Sequence, residues 1–292
     1  MKKVTDLGYW MDGYLKSNCD SIIYNLEQDW DFIFIITGDG MTRVGKSVLA
    51  QQIGYYIAYN LKTPFDINNI IFSGAELIKK GTTFPPKSVF VYDEARADLD
   101  NKKQMHTYTK NLLDYFAECG MYNHFIILVL PEFFELPKTI ALNRAEALIN
   151  VKRETEVVKT KDGAVINFKR GKFDFYNKVG KRKLYFEGKK NFNFYNPRHR
   201  VFYGEFRDFS TINKEAYTKR KIEFLRRDRD DQAKRLSPMN DRRLRQRNIA
   251  FKIIIDELGW TQTKLAKVLK DFKAPIDQTD ISKNISNLKL GL

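Results

Sequence analysis

The sequence predicts an α/β protein whose N-terminal half is a parallel sheet covered by helices on both faces. Two observations support this: apolar runs alternate with helical patterns as far as residue 151, and a glycine-rich loop joins one strand to the next helix. After residue 151, short alternating runs separated by turns predict an antiparallel β-rich extension. Apolar residues at helical spacing near the C-terminus predict a small all-α domain. The expected divisions are residues 1–151, 152–217, 218–247 and 248–292.

A strand and a helix flank the glycine-rich loop. Residues 32–36 are FIFII, an apolar and β-branched run typical of a buried parallel strand. Apolar residues recur at helical spacing from Val48 to Leu61, which predicts a helix directly after the loop. Further strands are expected at residues 69–72, 88–93, 125–130 and 147–151, and further helices within 1–27 and at 74–80 and 102–121.

The loop itself, residues 40–47, has the sequence GMTRVGKS and fits the phosphate-binding pattern G-x4-G-K-[ST]. In this pattern the backbone amides form an anion-binding nest, the lysine reaches the β- and γ-phosphates, and the serine hydroxyl can ligate Mg²⁺. The helix that follows offers its positive N-terminal end to the same anion, so a nucleotide site is favoured over a plain turn. The expected site residues are Gly40, Thr42, Arg43, Val44, Gly45, Lys46, Ser47 and Val48, with Lys46 also catalytic and Ser47 also a metal ligand.

Two carboxylates end the strand at residues 88–93. Asp93 is expected to hold Mg²⁺ directly or through water, and Glu94 is expected to polarise the attacking water as a general base. A solvated acidic turn is the structural alternative. A strand that ends in Asp-Glu resembles the Walker B strand of P-loop NTPases, and this resemblance implies ATP hydrolysis with ATP and Mg²⁺ as the cofactors.

Charge is distributed unevenly along the chain. Residues 1–151 carry 15 Lys/Arg and 18 Asp/Glu, a net charge of −3, whereas residues 152–292 carry 36 and 18, a net charge of +18. Such a polycationic half predicts binding to a polyanion, most simply nucleic acid. An anionic membrane surface is the competing interpretation, but no long amphipathic helix with a Trp/Leu face stands out. Residues 218–247, with 12 Lys/Arg against 5 acids, predict a charged helix and linker compatible with a phosphate-gripping arm.

Composition excludes several other classes of protein. The two cysteines, Cys19 and Cys119, and three histidines show no metal-ligand spacing, and the cysteine usage suggests a reducing compartment. No apolar run approaches the roughly 18 residues of a membrane span, and no signal peptide is evident. We therefore expect a cytoplasmic protein, in the host cytoplasm if it is viral, with no membrane partner.

The β-rich extension is dense in aromatic residues with Lys and Arg between them. Bases could stack on such a surface, but aromatics alternating with charges also describe an ordinary half-buried sheet. The core interpretation is favoured for any single aromatic. The aromatic residues are Phe168, Phe173, Phe175, Tyr176, Tyr185, Phe186, Phe192, Phe194 and Tyr195.

The C-terminal pattern W-T-Q-x-x-L-A-x-x-L, followed by T-x-I-S-x-x-I-S-N-L, resembles helix-turn-helix domains of the phage-repressor type. In that family the second helix of the pair presents its N-terminal side chains to the major groove. The connection at residues 270–277 is longer than the usual turn, and a three-helix protein-interaction domain is the alternative. By resemblance the DNA-binding candidates are Gln278, Thr279, Asp280 and Lys283.

Residues 31–151 resemble the additional-strand, catalytic-glutamate branch of P-loop ATPases, and within it FtsK/HerA-like and viral or plasmid DNA motors. The resemblance implies a RecA-like core and a homo-oligomeric ring, often a hexamer, in which a neighbouring subunit supplies an arginine to the γ-phosphate. Arg144 is the candidate finger and Arg96 the second, while a local helix salt bridge is the alternative for Arg144. Many such motors end the fourth strand in a polar sensor, whereas here it ends at Leu130-Pro131.

The resulting hypothesis is a DNA-binding motor or DNA-processing ATPase that translocates, packages or mobilises DNA. An AAA+-like loader or a regulator of transposition or replication would combine the same parts. An ATP-dependent DNA-binding switch is the non-enzymatic alternative, although such a switch needs no general base at Glu94.

Overall fold

The structure is a computed structural model that describes residues 3–4, 7–38, 40–95, 99, 107–160, 163–271 and 276–282 of the 292-residue chain. The chain divides into two compact units, Met1–Arg220 and Lys221–Leu292. The first unit contains the sheet and the glycine-rich loop, and the second unit is helical.

Seven strands form one sheet in the order β4–β5–β6–β3–β7–β8–β9. Every neighbouring pair from β4 to β7 is parallel, whereas β8 and β9 extend the sheet with antiparallel pairings. A separate antiparallel pair is formed by β1 (Lys3–Val4) and β2 (Tyr9–Trp10). The strands of the large sheet are β3 (Phe32–Thr37), β4 (Ile70–Ile71), β5 (Val89–Tyr92), β6 (Phe125–Val129), β7 (Ala145–Thr160), β8 (Gly163–Tyr176) and β9 (Phe202–Glu205).

Helices lie between most of these strands and after the last one. Asp12 caps the first helix by accepting hydrogen bonds from the amides of Tyr14 and Leu15. Ser73 caps the third by accepting from the amide of Glu76, as its position before an apolar helical run predicts. The helices are α1 (Gly13–Glu27), α2 (Lys46–Asn60), α3 (Gly74–Thr83), α4 (Thr107–Glu118), α5 (Lys178–Lys190), α6 (Lys214–Asp256) and α7 (Gln262–Asp271).

The predicted α/β class with a mostly parallel sheet is confirmed. Strands β5 and β6 are buried along their whole length, because helices cover both faces of a parallel sheet and leave no solvated side. This burial explains why their sequences are continuous apolar runs rather than alternating ones. The short runs at residues 32–36, 88–93 and 125–130 therefore carried a reliable strand signal.

The β-rich extension differs in detail from the expectation. The expected boundary at residue 151 falls inside β7; β8 pairs with β7, and β9 pairs with β8 in the same sheet. Val179 and Gly180 lie in the first turn of a helix, α5, within a stretch where the sequence predicted short strands and turns. Asn177 caps that helix by accepting from the amide of Gly180, and Leu184 and Tyr185 are buried on its inner face.

The aromatic residues of the extension divide into two groups. Five are core residues, as the favoured interpretation expected: Phe173, Phe175, Tyr176, Tyr185 and Tyr195. Four are more than half exposed, so packing does not account for them: Phe168, Phe186, Phe192 and Phe194.

In the second unit a small core joins three helical segments. Phe251 near the end of α6, Leu265 in α7 and Ile281 in the helical residues 278–282 are buried together. Thr261 caps α7 by accepting from the amide of Lys264. Within the described part of the chain, no helix has the length and apolar character needed to cross a membrane.

Candidate nucleotide site

One edge of the parallel sheet collects the predicted nucleotide-site residues. Because β3, β5 and β6 run in the same direction, their carboxyl ends lie at the same edge. The glycine-rich loop leaves β3 there, Asp93 and Glu94 follow β5, and Pro131 and Glu132 follow β6. The edge therefore brings a phosphate-binding loop and two carboxylates together.

Positive φ angles shape the glycine-rich loop. Gly40, Arg43 and Gly45 have φ angles of 68°, 58° and 103°. Left-handed residues of this kind turn successive amides toward one side of the chain, which produces an anion-binding concavity. Gly38 is also required, because a Cβ there would lie 2.8 Å from Val44 Cγ2 and 3.0 Å from Lys46 Nζ.

Lys46 and the loop backbone hold the loop to itself and to the sheet. Lys46 Nζ donates to the carbonyl of Met41 within the loop. The Gly40 amide donates to the Pro131 carbonyl at 2.9 Å, which ties the loop to the end of β6. Within the loop, Val44 is buried while Arg43 is exposed.

Ser47 and Asp93 meet at this edge although 46 residues separate them in sequence. Ser47 Oγ lies 3.2 Å from both carboxylate oxygens of Asp93, and Asp93 is only 2% exposed. A serine hydroxyl beside one buried carboxylate suits Mg²⁺, which usually binds one or two carboxylates together with waters and nucleotide phosphates. Among the described residues there is no group of three or more His, Cys, Asp or Glu side chains that could hold a metal alone.

Glu94 has an unusual backbone conformation. Its φ angle is 63°, a left-handed value that costs a non-glycine residue on the order of 1–3 kcal/mol. Its amide donates to Asp93 Oδ1 at 3.1 Å, and its side chain is partly exposed. Strain of this kind concentrates at functional sites, which agrees with the role expected for Glu94.

Tyr217, at the start of α6, also contacts the site. Its hydroxyl donates to Asp93 Oδ2, and its ring lies 6.0 Å from that of Phe72. One helical turn later, Arg220 pairs with Glu76. Tyr217 is 124 residues from Asp93, and a lone tyrosine in a charged helix gave no signal of this contact in the sequence.

The segment between β9 and α6 lies over the start of α2. Phe206 is so close to the loop that a Cβ on Gly45 would lie 2.8 Å from its ring. Gln52 Nε2 donates to the carbonyls of Arg207 and Phe209 at 2.8 and 2.9 Å. We call the edge of the sheet where the predicted nucleotide-site residues lie the nucleotide edge. Residues 206–220 are called the closing segment, since both of its ends contact this edge.

Glu132 is a third acidic residue near this edge, and it was not predicted from the sequence. It directly follows the Leu130-Pro131 pair, at which the sequence departs from the motors that it resembles. Its carboxylate accepts from the Tyr195 hydroxyl at 2.6 Å, and the same hydroxyl accepts from the Phe133 amide at 2.9 Å. Burial, together with the Glu132 carboxylate, raises the pKa of Tyr195 well above its usual value, so this phenol keeps its proton.

Arg144 lies at the other edge of the sheet from the glycine-rich loop. Arg144 directly precedes β7, as Asp31 directly precedes β3. The six residues of β3 place this end of the sheet about 20 Å from the glycine-rich loop. Its guanidinium pairs with Asp31 and donates to the carbonyl of Phe116. Arg144 therefore forms a salt bridge within one chain, with a residue 113 positions away rather than with a neighbour on a local helix as the alternative expected. Its role as a finger in a neighbouring subunit stays a prediction.

The remaining expected residues belong to other parts of the chain. Arg96 and Lys283 lie outside the described residues. In the second unit, Gln278, Thr279 and Asp280 are exposed at the start of the last described helical segment, where Gln278 accepts from Thr263 at 3.2 Å.

We expect Tyr217→Phe to lower the Mg²⁺ concentration that half-saturates binding of a fluorescent ATP analogue. The phenol stabilises the metal-free Asp93 carboxylate, so a metal must compete with this hydrogen bond. The phenylalanine keeps the ring against Phe72. Tyr24→Phe, on an exposed face of α1, is the matched control, and equal Mg²⁺ dependence in both variants would contradict the competition.

We expect Arg144→Ala and Asp31→Ala each to lower the free energy of unfolding by about 1–3 kcal/mol, because each leaves a partly buried partner without its hydrogen bond. In denaturant unfolding, the double variant should lose less than the two single losses together. Arg198→Ala, at an exposed arginine, is the control and should have little effect.

The finger hypothesis gives a different result for the same residue. A stable Arg144→Ala protein that regains ATPase activity when mixed with Lys46→Ala protein would show that the arginine acts between subunits. Additive losses in the unfolding experiment would show that the Asp31 pair contributes nothing.

The chain was compared with protein-family models, with curated proteins and with solved structures, and none of the three comparisons found a match.

Proposed function

We propose that this chain is a P-loop ATPase that binds DNA and uses ATP hydrolysis to move or process it. The observation that carries the proposal is the contact between Ser47 of the glycine-rich loop and Asp93 at the end of β5. If the loop were a plain turn and the end of β5 a solvated acidic turn, no contact between Ser47 and Asp93 would be expected. Their meeting assembles the donors that a nucleotide and its metal require.

The strand order supports a RecA-like core of the additional-strand type. Strand β6 lies between β3, which leads into the loop, and β5, which ends in Asp93. A strand inserted between these two is the feature that gives this ATPase class its name. The order from β4 to β7 agrees with that arrangement, and β8 and β9 are additions at the edge of β7.

The donor set fits ATP and Mg²⁺, with each residue contributing a separate task. Lys46 would exchange the Met41 carbonyl for the β- and γ-phosphate oxygens, and the loop amides would bind the phosphates beside it. Ser47 and Asp93 would hold Mg²⁺, which when bound neutralises charge that develops on the phosphates. Glu94 would accept a proton from the attacking water.

DNA is proposed as the partner because of charge and of the C-terminal unit. Residues 152–292 carry a net charge of +18, sufficient for strong sequence-independent binding. The exposed residues 278–280 begin a helix that follows α7, as in the helix-turn-helix resemblance. We propose that this unit supplies any sequence preference.

An ATP-dependent DNA-binding switch is the second candidate, and the contact between Tyr217 and Asp93 favours it. Helix α6 begins at the nucleotide site with Tyr217 and continues into the second unit. A change at Asp93 would therefore act directly on the first turn of this helix. Rapid hydrolysis stimulated by DNA would favour the motor, and slow hydrolysis with nucleotide-dependent DNA affinity would favour the switch.

A ring is part of the motor proposal, since phosphoryl transfer gains on the order of 10³-fold or more from a stabilising arginine. Within the described residues of the glycine-rich loop, Arg43 is the arginine that this chain itself provides. We propose that a neighbouring subunit supplies a second one. The motor proposal therefore includes assembly of several copies, with specific activity that rises as protein concentration rises.

We expect Lys46→Ala to abolish ATP binding, because it removes the cation that contacts the β- and γ-phosphates. Glu94→Gln should retain binding but lose turnover by at least about 100-fold, since only the general base is removed. Binding of a fluorescent ATP analogue and release of phosphate would be measured on the same samples.

Lys79→Ala is the matched control for Lys46→Ala, because Lys79 is an exposed lysine on α3. It should bind and hydrolyse ATP as the parent does. Parental turnover in Glu94→Gln would remove Glu94 from the proposal, and parental binding in Lys46→Ala would remove the nucleotide site itself.

We expect DNA affinity to fall steeply with salt, since many lysine–phosphate contacts release counterions. The double variant Gln278→Ala/Thr279→Ala should lose preference among duplex sequences while keeping its affinity for random duplex. Binding titrations with a selected site and a random duplex at two salt concentrations would measure both effects. If the variant lost affinity for both duplexes equally, these residues would not be the readers of sequence.

A further inference from the structure

Positive charge and exposed aromatic side chains coincide in one stretch of the first unit. Residues 178–200 contain 8 Lys/Arg and a single acid, Glu187. In this stretch Phe186 is 56%, Phe192 102% and Phe194 55% exposed. We call the exposed side chains of Arg182, Phe186, Lys189, Lys190, Phe192 and Phe194 the aromatic-basic surface.

The turn that carries Phe192 is strained. Phe192 and Asn193 have φ angles of 57° and 60°, which is a rare conformation for a bulky residue such as phenylalanine. The strain does not serve packing of that ring, because the Phe192 side chain is fully exposed. Backbone strain at an exposed aromatic residue points to a contact with something outside the chain.

Hydrogen bonds hold this turn in place. The Asn191 amide donates to the Glu187 carbonyl at 3.1 Å, and the Phe194 amide donates to the Gly188 carbonyl at 3.0 Å. Gly188 must lack a side chain, because a Cβ there would lie 2.4 Å from the Phe194 carbonyl oxygen. The two exposed rings are thus presented by a fixed turn.

The Glu187 carboxylate anchors the residues that follow the turn. It accepts from Asn196 Nδ2 at 2.7 Å and pairs with His199. The hydrogen bond from His199, followed by that from Asn196, lowers the pKa of Glu187. The single acid of the stretch is therefore directed to Asn196 and His199, and the nearby lysines keep their charge for a ligand.

Cationic and aromatic side chains lie on the same face of α5. Arg182, Phe186 and Lys190 are spaced by four residues, so they lie on one face of the helix, and all three are exposed. That face ends at the turn that carries Phe192. The surface therefore alternates cationic and aromatic groups over the last two turns of α5 and the turn after it.

We propose that the aromatic-basic surface binds single-stranded nucleic acid, with unpaired bases stacking on Phe192 and Phe194 and backbone phosphates at the adjacent cations. Proteins that hold single strands without sequence preference combine a cationic track with exposed aromatic rings in this way. Paired bases do not offer their faces, so the exposed rings favour a single strand over a duplex. The inference rests on the proposed function, since it names the form of nucleic acid that the ATPase unit contacts.

The surface is fixed to the nucleotide edge of the sheet. Tyr195, directly after Phe194, is buried and donates to Glu132, which follows Pro131. The Pro131 carbonyl in turn accepts from Gly40 of the glycine-rich loop. A strand held at Phe192 and Phe194 would therefore be connected to the glycine-rich loop through Tyr195, Glu132 and Pro131.

The test is fluorescence anisotropy of a labelled oligo-dT with the full chain, without nucleotide, over a range of salt concentrations. Phe192→Ala/Phe194→Ala should lower the affinity about tenfold or more, since stacking is lost, and should leave the salt slope at its parental value. Lys189→Gln/Lys190→Gln should lower the affinity and reduce the slope by about 1.4, which corresponds to two phosphate contacts on a single strand.

Tyr24→Ala is the matched control, because it removes an aromatic ring that is 64% exposed on α1. It should bind oligo-dT as the parent does. Phe192→Trp provides a second readout, since stacking on a base should retain affinity and quench the indole fluorescence. Thermal unfolding of each variant should match the parent, because all the substituted side chains are exposed.

Three results would overturn the inference. The first is parental affinity for oligo-dT in the double phenylalanine variant, and the second is a parent chain that binds duplex but no single strand. The third is a parent chain that binds no nucleic acid while the phenylalanine variant changes its sedimentation, which would make the surface a protein contact. The two proposals can fail separately. If the parent chain hydrolyses no ATP but the double phenylalanine variant still loses oligo-dT affinity, the surface is supported and the ATPase is refuted.

Discussion

The arrangement of the nucleotide edge depends on the buried carboxylate of Asp93. A carboxylate that is 2% exposed is stable only if hydrogen-bond donors surround it, and Ser47, Tyr217 and the Glu94 amide are among its donors. These come from α2, α6 and the end of β5. One acidic group therefore joins the glycine-rich loop, the strand that carries the acids and the helix that leads into the second unit.

The two edges of the parallel sheet have different roles. At the carboxyl edge, the loop and Glu94 contain residues with left-handed backbone conformations, so strained backbone lies at the proposed ligand site. At the opposite edge, Arg144 and Asp31 form an ion pair that closes the start of the sheet. A parallel sheet imposes this separation, because every crossover helix returns the chain to the same starting edge.

The β-rich extension supports the site from two sides. Its last part becomes the closing segment, in which Phe206 lies against Gly45 and Tyr217 reaches Asp93. Its middle part, α5 and the turn after it, reaches Glu132 through Tyr195. A stretch that looks like a separate basic module by composition thus contributes contacts to the nucleotide edge, and its exposed aromatic-basic surface lies beside them.

The sequence by itself determined the strands, the loop and the identities of Lys46, Ser47, Asp93 and Glu94, because apolar runs and a phosphate-loop pattern are local signals. Only the tertiary structure decided that Tyr217 and Glu132 join the site and that Arg144 lies at the far edge. Their positions follow from strand order and from a returning segment, neither of which leaves a local pattern. The same holds for the aromatics: alternation with charges could not separate buried Phe173 from exposed Phe192, because burial depends on what packs above each residue.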